Sequence, residues 1–303
     1  MADWLWIPIT VAAALFQCIR TALQKYLKGK LSTTASTYTR FVYGMPLAIL
    51  YALALIWIAG YAAPSPSLPF VLWILIGSVA QIVATFLLLY VLGYRNFPVG
   101  VAYCKTEVVQ AAVFGLAFLG DTLSSWGVAS IAIGTFGVML MSMGGDKHPL
   151  RALLTGWLER PALLGLASGA GFAVAAIGVR GAALSLGHPS ALMAAGYTLA
   201  WTTTVQSLIM TAYLAWRERE QFRPVIATWR VSGLAGLTSV LGSGCWFLAM
   251  TLTAVAYVRT LGLIELVFTF LVSVLWFRER PRTNEAVGVA LVVVAVAAIL
   301  NAL

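Results

Sequence analysis

Apolar residues run along this chain in blocks of about twenty, separated by short stretches that carry glycine, proline or charge. The blocks lie at about 4–24, 38–60, 68–92, 97–119, 125–143, 161–184, 189–215, 231–250, 255–277 and 285–303. A helix needs roughly 20 apolar residues to cross a hydrocarbon core of about 30 Å. The pattern therefore predicts an all-α membrane protein of ten transmembrane helices. None of the connections is long enough to hold a soluble domain. Only Met1, Ala2 and Asp3 precede the first block, without a basic n-region, so that block is expected to remain as a helix rather than be cleaved as a signal.

Composition agrees. Of 303 residues, 61% are hydrophobic and 10% charged, against about 25% charged in an ordinary soluble domain. So few charges cannot cover a water-facing surface of this size, whereas a lipid-facing one needs none. Cys18, Cys104 and Cys245 stand singly inside apolar blocks, with neither metal nor disulfide spacing, and are expected to pack as small apolar residues. His148 and His188 fall in connections. With no nucleophile–base pair, metal-ligand cluster or phosphate-binding glycine loop, the sequence predicts neither an enzyme nor a bound metal or cofactor, and any transport would be secondary.

The basic residues add topology. Of 19 Lys and Arg, 14 fall in alternate connections: Lys25, Lys28 and Lys30; Arg95; Lys147, Arg151 and Arg160; Arg217, Arg219, Arg223 and Arg230; Arg278, Arg280 and Arg282. The four intervening connections hold none. Basic loops are retained in the cytoplasm, so the alternation supports an even number of spans and turns both termini outward. It also accounts for the net charge of +9 without nucleic acid. Trp4, Trp6, Trp57, Trp73, Trp126, Trp216, Trp229 and Trp276 sit near block ends and are expected to form interfacial belts.

The chain also repeats itself. Val101-Ala102-Tyr103-Cys104-Lys105-Thr106 is matched by Val255-Ala256-Tyr257-Val258-Arg259-Thr260, and Ile19-Arg20-Thr21-Ala22 by Val179-Arg180-Gly181-Ala182. The expected organisation is a five-helix unit used twice, over 1–145 and 161–303, joined by a loop at 146–160. Because five is odd, the second copy enters the membrane from the opposite side. Such inverted repeats are typical of transporters that bind substrate near the midplane.

Several segments carry a family resemblance. Arg40-Phe41 near the start of the second span, Phe114 to Asp121, and Glu265 followed by Phe268 to Glu279 resemble the drug/metabolite transporter superfamily, specifically its ten-helix bacterial EamA-type exporters. The resemblance covers essentially the whole chain. It implies a multi-pass protein of the bacterial inner membrane that exports a small molecule; in many such relatives both termini face inward, the reverse of the orientation read from the basic loops. The first span is also similar to that of the four-helix multidrug exporters, in which a glutamate precedes a lysine by eight residues. Here that register reads Gln17 and Lys25, an amide where those exporters bind cations, so export of a cationic drug is not implied.

Seven ionisable residues remain inside the blocks: Arg20, Arg40, Lys105, Arg180 and Arg259, with Glu107 and Glu265. A charge at the centre of a span costs about 2.5–3.5 kcal/mol on the insertion scale, so these side chains should face the bundle interior or a wet cavity. Arg20 and Arg180 could instead snorkel to the headgroups, Arg40 could serve as an interfacial or interhelical anchor, and the others could form structural ion pairs. Five cations against two acids predict a positive interior and an anionic or zwitterionic metabolite, held by Arg20, Lys105, Arg180 and Arg259. Glu107 and Glu265 would then take up a coupling proton or pair with the cations. Tyr103, Tyr257, Gln17, Trp201 and Trp246 are candidate lining residues. A flippase for a lipid or lipid-linked headgroup is the alternative on the same fold. The partners implied are the small-molecule substrate and membrane lipids, with a homodimer allowed and no nucleic acid.

Overall fold

The computed structural model describes residues 4–27, 29–91, 102–142, 158–275 and 283–300. The basic residues Lys28, Arg95, Lys147, Arg151, Arg278, Arg280 and Arg282, together with Trp276 and Glu279, lie outside the described residues. Within them the chain is helical: α1 (Trp6–Leu27), α2 (Thr33–Val42), α3 (Gly44–Trp57), α4 (Leu68–Val91), α5 (Glu107–Phe114), α6 (Ser125–Ser142), α7 (Arg160–Ser185), α8 (Ala191–Arg217), α9 (Phe222–Ala227), α10 (Trp229–Leu252), α11 (Val255–Gly262), α12 (Ile264–Leu275) and α13 (Thr283–Leu300). Among the described residues, eight helical stretches are long and apolar enough to cross a membrane. The eight leave out two of the apolar blocks. α8 has the length but carries Thr198, Thr202, Thr203, Thr204, Gln206 and Ser207 in its middle, and the block from Val255 is interrupted between α11 and α12.

The second block starts earlier than its apolar residues suggest, because Ser32 caps α2 by accepting from the Ala35 N–H. The same span then breaks at Tyr43, between α2 and α3. Pro46 is the cause: it has no N–H to offer the Val42 carbonyl, and its ring crowds that carbonyl. Past α5, a π-helical turn at Gly115–Leu119 ends on Gly120, whose φ of 67° is in the left-handed region that favours glycine.

The chain folds as two compact units that each draw on both halves of the sequence: Met1–Val79 with Gly178–Leu252, and Ala80–Ile177 with Thr253–Leu303. In the first unit, α10 packs along α1 and also meets α2, α3 and α8. Gly236 allows the Tyr43 backbone to close on α10, and Gly242 lies over Ala13, Phe16 and Gln17 of α1. At one end of this unit the Ser32 hydroxyl donates to Glu218, the Ser32 N–H to Gln221 (3.1 Å) and the Tyr43 hydroxyl to the Val225 carbonyl (3.2 Å). The Ser32 bonds tie the start of α2, and the Tyr43 bond its end, to the segment between α8 and α10. The aromatic belt is only partly as expected: Trp4, Trp57, Trp126, Trp216 and Trp229 are exposed, whereas Trp6 is buried and the Trp73 ring fills the space left by Gly181.

In the second unit, α6 and α13 form the closest helix pair. A Cβ on Gly137 would stand 2.8 Å from the Gly288 carbonyl, and one on Gly288 would stand 2.5 Å from the Gly137 carbonyl. Helices in lipid gain from such contact because no hydrophobic effect draws them together, so small residues that admit backbone approach decide the interface. On α4, Leu68, Leu72, Leu75, Ile76, Val79, Val83 and Phe86 are exposed along helical spacing, as a lipid-facing stripe requires.

Two outcomes follow for stability in detergent. Gly137→Ala forces the pair apart and is expected to cost about 1–3 kcal/mol, seen as a lower melting temperature, while Gly233→Ala, which meets nothing within 4 Å, should leave melting unchanged. Ser32→Ala removes the α2 cap and the Glu218 contact together and should lower stability by about 1 kcal/mol; equal melting of this variant and the wild type would show that the end of the first unit does not depend on that contact.

Candidate functional site

The second unit gathers four of the seven ionisable residues at two interruptions of the helical backbone. Between the helical turn at 102–104 and the start of α5, Lys105 and Thr106 form a tight turn, with the Lys105 N–H on the Ala102 carbonyl and the Thr106 N–H on the Tyr103 carbonyl (both 3.1 Å). The Thr106 hydroxyl also returns to the Tyr103 carbonyl at 2.6 Å. Glu107 opens α5 and Glu265 is the second residue of α12, just past the interruption at Leu263. Arg259 Nη1 lies 3.6 Å from Glu107 Oε1, with both side chains about a fifth exposed. Lys105 is within the field of Glu107, Glu265 and Arg259. Gln110 extends the cluster by donating to the Thr106 hydroxyl at 2.8 Å and to the Leu166 carbonyl at 3.4 Å.

α7 braces this turn. Its Ser168 hydroxyl donates to the Ala84 carbonyl (2.8 Å) and receives the Cys104 thiol (3.5 Å). A Cβ on the neighbouring Gly169 would come within 2.7 Å of the Cys104 carbonyl. Non-helical backbone at membrane depth has to be covered by protein, and Ser168-Gly169 supplies that cover.

Tyr103 and Tyr257 are equivalent in the sequence repeat but have different surroundings. Tyr103 packs in an apolar cluster with Ala102, Ala162, Met139 and Leu166. Tyr257 lays its ring where Gly127 has no side chain, and its hydroxyl accepts the Ser124 N–H at 2.9 Å. Both are nearly buried, so each holds neighbouring elements together.

The first unit contains the remaining cations. Gln24 and Ser36 bond reciprocally, Gln24 Nε2 to the Ser36 carbonyl (3.4 Å) and Ser36 Oγ to the Gln24 carbonyl (3.1 Å). α1 and α2 run in opposite directions there, so one turn further in on each helix, at 24 − 4 and 36 + 4, Arg20 and Arg40 face each other. The two guanidinium charges act on one another. Each lies seven residues from its helix end at Leu27 or Thr33, about 10 Å along the axis. Gln17, the next turn along α1, accepts from Trp246 Nε1 at 3.1 Å. Arg180 stands elsewhere: its Nη1 donates to the Met250 carbonyl, two residues from the end of α10. Trp201 belongs to an aromatic group, edge-on to the buried Phe70 at 5.9 Å and tilted against Tyr197 at 6.3 Å.

The structure thus brings Lys105, Glu107 and Arg259 together, an ion pairing that the sequence pattern left as one of several readings. That pattern did not bring Arg40 to Arg20. The signal that does so is the pairing of two polar residues, Gln24 and Ser36, which no apolar period reports.

With the geometry given, likeness to known proteins can be set beside it. The EamA-like transporter family profile matches residues 160–301. No curated protein matches the chain. A solved crystal structure of a protein superimposes with a TM-score of 0.69 at 16% identity, covering 97% of this chain and 94% of that one, a likeness of fold. The match to the EamA-like transporter family thus covers just under half of the chain, its second half, in a chain with eight helical stretches among the described residues that are long and apolar enough to cross a membrane.

Proposed function

We propose that the chain is a secondary transporter, acting as an exporter in the bacterial inner membrane, that moves a small anionic or zwitterionic metabolite by alternating access. On this reading the ten apolar blocks span as two inverted five-helix repeats, over 1–145 and 161–303. The observation that carries the proposal is the cluster of Lys105, Glu107, Arg259 and Glu265 at interrupted helices, since discontinuous spans with charged side chains are where transporters bind substrates and ions.

The cluster is balanced, two cations against two acids. Protonation of Glu107 would cancel its attraction for Arg259, and deprotonation would restore it. A proton and a salt bridge therefore compete for the same carboxylate, which is the property a coupling site needs. Lys105 ties Glu265 into the same competition. Substrate recognition then falls chiefly to the cations of the first unit, Arg20 and Arg180, with Gln17 and Trp246 beside Arg20.

In proteoliposomes loaded with labelled amino acids or phosphorylated metabolites, an imposed pH gradient should drive uptake by the wild type. Glu107→Gln and Glu265→Gln should abolish the response to the gradient while keeping exchange of substrate for substrate. Lys105→Ala and Arg259→Ala, which leave an acid uncompensated, should lose both activities. A full gradient response in both glutamine variants would overturn the coupling assignment.

A further inference from the structure

One end of the first unit gathers cations and aromatic rings from three helices. The Ser32 bonds to Glu218 and Gln221 set Lys30, two residues earlier, beside the segment that follows α8. That segment leads into α10, which runs back along α1 with Gly242 over Ala13, Phe16 and Gln17. Counting twelve residues back from Gly242, and about twelve on from residue 15, brings Arg230 level with Leu27 at the end of α1. Each of the three helix ends has a cation stacked on a ring: Lys30 Nζ lies 4.9 Å over Tyr26, the Arg217 guanidinium 4.1 Å over Trp216, and that of Arg230 5.5 Å over Trp229. The segment between α8 and α10 is held against the unit, with Phe222 edge-on to Tyr38 at 6.2 Å and Val225 buried. Lys30, Arg217, Arg219, Arg223 and Arg230 are all exposed, and among the described residues none of them forms an ion pair. Against these five cations, residues 217–230 carry two acids, Glu218 and Glu220, so three positive charges remain in excess. Between the cations, Tyr26, Trp216, Ile226 and Trp229 are each more than half exposed.

We infer that this end of the first unit is a docking surface for anionic phospholipid. Position comes first: the apolar stretches of α1 and α10 both end here, where hydrocarbon gives way to headgroups. Tryptophan and tyrosine rings settle at that level, and each ring here has a cation over it. A guanidinium keeps its face on a ring while its fork holds two phosphate oxygens. Charge then selects among lipids, since each Lys or Arg near the surface adds attraction to an anionic headgroup over a zwitterionic one. Apolar surface selects lipid over other anions. A soluble phosphate or an acidic protein segment would satisfy the arginines but leave Trp216, Ile226 and Trp229 bare, whereas a phospholipid brings acyl chains beside its phosphate. Basic connections are retained on the cytoplasmic side, whose leaflet has the negative surface potential such a patch requires. The inference goes beyond the transporter reading and needs only a bilayer around the spans, whatever the cargo.

The test uses the purified full chain in nanodiscs of phosphatidylcholine, or of phosphatidylcholine and phosphatidylglycerol in equal parts. Native mass spectrometry counts the lipids that stay on the protein when the discs are broken, and thermal melting reports their effect on stability. The wild type should retain phosphatidylglycerol in preference to phosphatidylcholine and melt higher in the mixed discs. Arg217→Gln, Arg223→Gln and Arg230→Gln should each weaken that preference about fivefold, and the triple variant should show none. In pure phosphatidylcholine the triple variant should melt with the wild type, because the three side chains are exposed; the single variants carry the test should the triple one not fold. The double variant Trp216→Ala with Trp229→Ala keeps every charge and should still lose part of the preference. Arg160→Gln removes an exposed cation outside the first unit and should leave it unchanged. No preference in the wild type, or full preference in the triple arginine variant or in the double tryptophan variant, overturns the surface. A loss in Arg160→Gln as large as in Arg223→Gln also overturns it, since overall charge alone would then be at work. Inorganic phosphate and polyglutamate, added to phosphatidylcholine discs, probe the other occupants: if either raises the melting temperature as much as phosphatidylglycerol does, the surface belongs to a small anion or an acidic protein and the lipid assignment falls.

Discussion

A charge held away from water must find its counter-charge nearby, and the arrangement of this chain follows from that requirement. In the second unit the counter-charges come from the chain itself. Lys105 and Glu107 are two residues apart and would point to opposite sides of a regular helix, where groups at that spacing do not meet. The turn at Lys105-Thr106 abolishes the regular spacing and lets both act on each other. Arg259 and Glu265 are likewise separated by six residues, and the interruption at Leu263 falls between them. At Lys105 the backbone is broken where unbroken helix would have kept the charges apart.

Those breaks have a cost of their own, because peptide groups released from a helix need partners that lipid cannot supply. The chain covers them with side chains and with close backbone. Thr106 and Thr260 return their hydroxyls to carbonyls of the preceding turn, and Ser168-Gly169 of α7 closes over the Cys104 carbonyl. The glycine-rich run from Gly165 to Gly171 is therefore tied to the charge cluster: without Gly169, the turn that presents Lys105 would lose its cover. In the first unit Pro46 makes the break, and Gly236 brings α10 against the Tyr43 backbone there.

How much of this could be read in advance depends on what an apolar period reports. It reports whether a face meets lipid, so the helical character and most of the span positions were legible from the blocks alone. It says little about lateral neighbours. Tyr103 and Tyr257 occupy equivalent places in the repeat, yet one packs among apolar side chains and the other holds Ser124, a difference made by Gly127 on another helix. Trp6 and Trp73 have the positions of belt residues but are drawn inward, Trp73 by the absence of a side chain at Gly181. The neighbour of Arg40 was hidden for the same reason: its own segment marks the residue as an anchor, and only the cross-helix bonds of Gln24 with Ser36 bring it opposite Arg20.

The partition of charge between the units bears on how such a protein could act. Arg20 and Arg180 are equivalents in the sequence repeat and belong to the same unit, but they do not converge. α10 runs opposite to α1, since its beginning lies beside the turn bonded to Ser32 while Gly242 meets Phe16 and Gln17. Arg20 is consequently level with about residue 239 of α10, and Arg180 is bonded at Met250, so the two lie on the order of 16 Å apart along the axis. One cation thus stands towards each end of a single unit, while the cluster of Lys105, Glu107, Arg259 and Glu265 is confined to the other. Under the proposed inverted relation, equivalent arginines near opposite ends would give an anion a foothold from either side. On the proposed reading, the contrast between the arginines Arg20 and Arg180 in one unit and the mixed cluster of two cations and two acids in the other separates holding the cargo from coupling its movement.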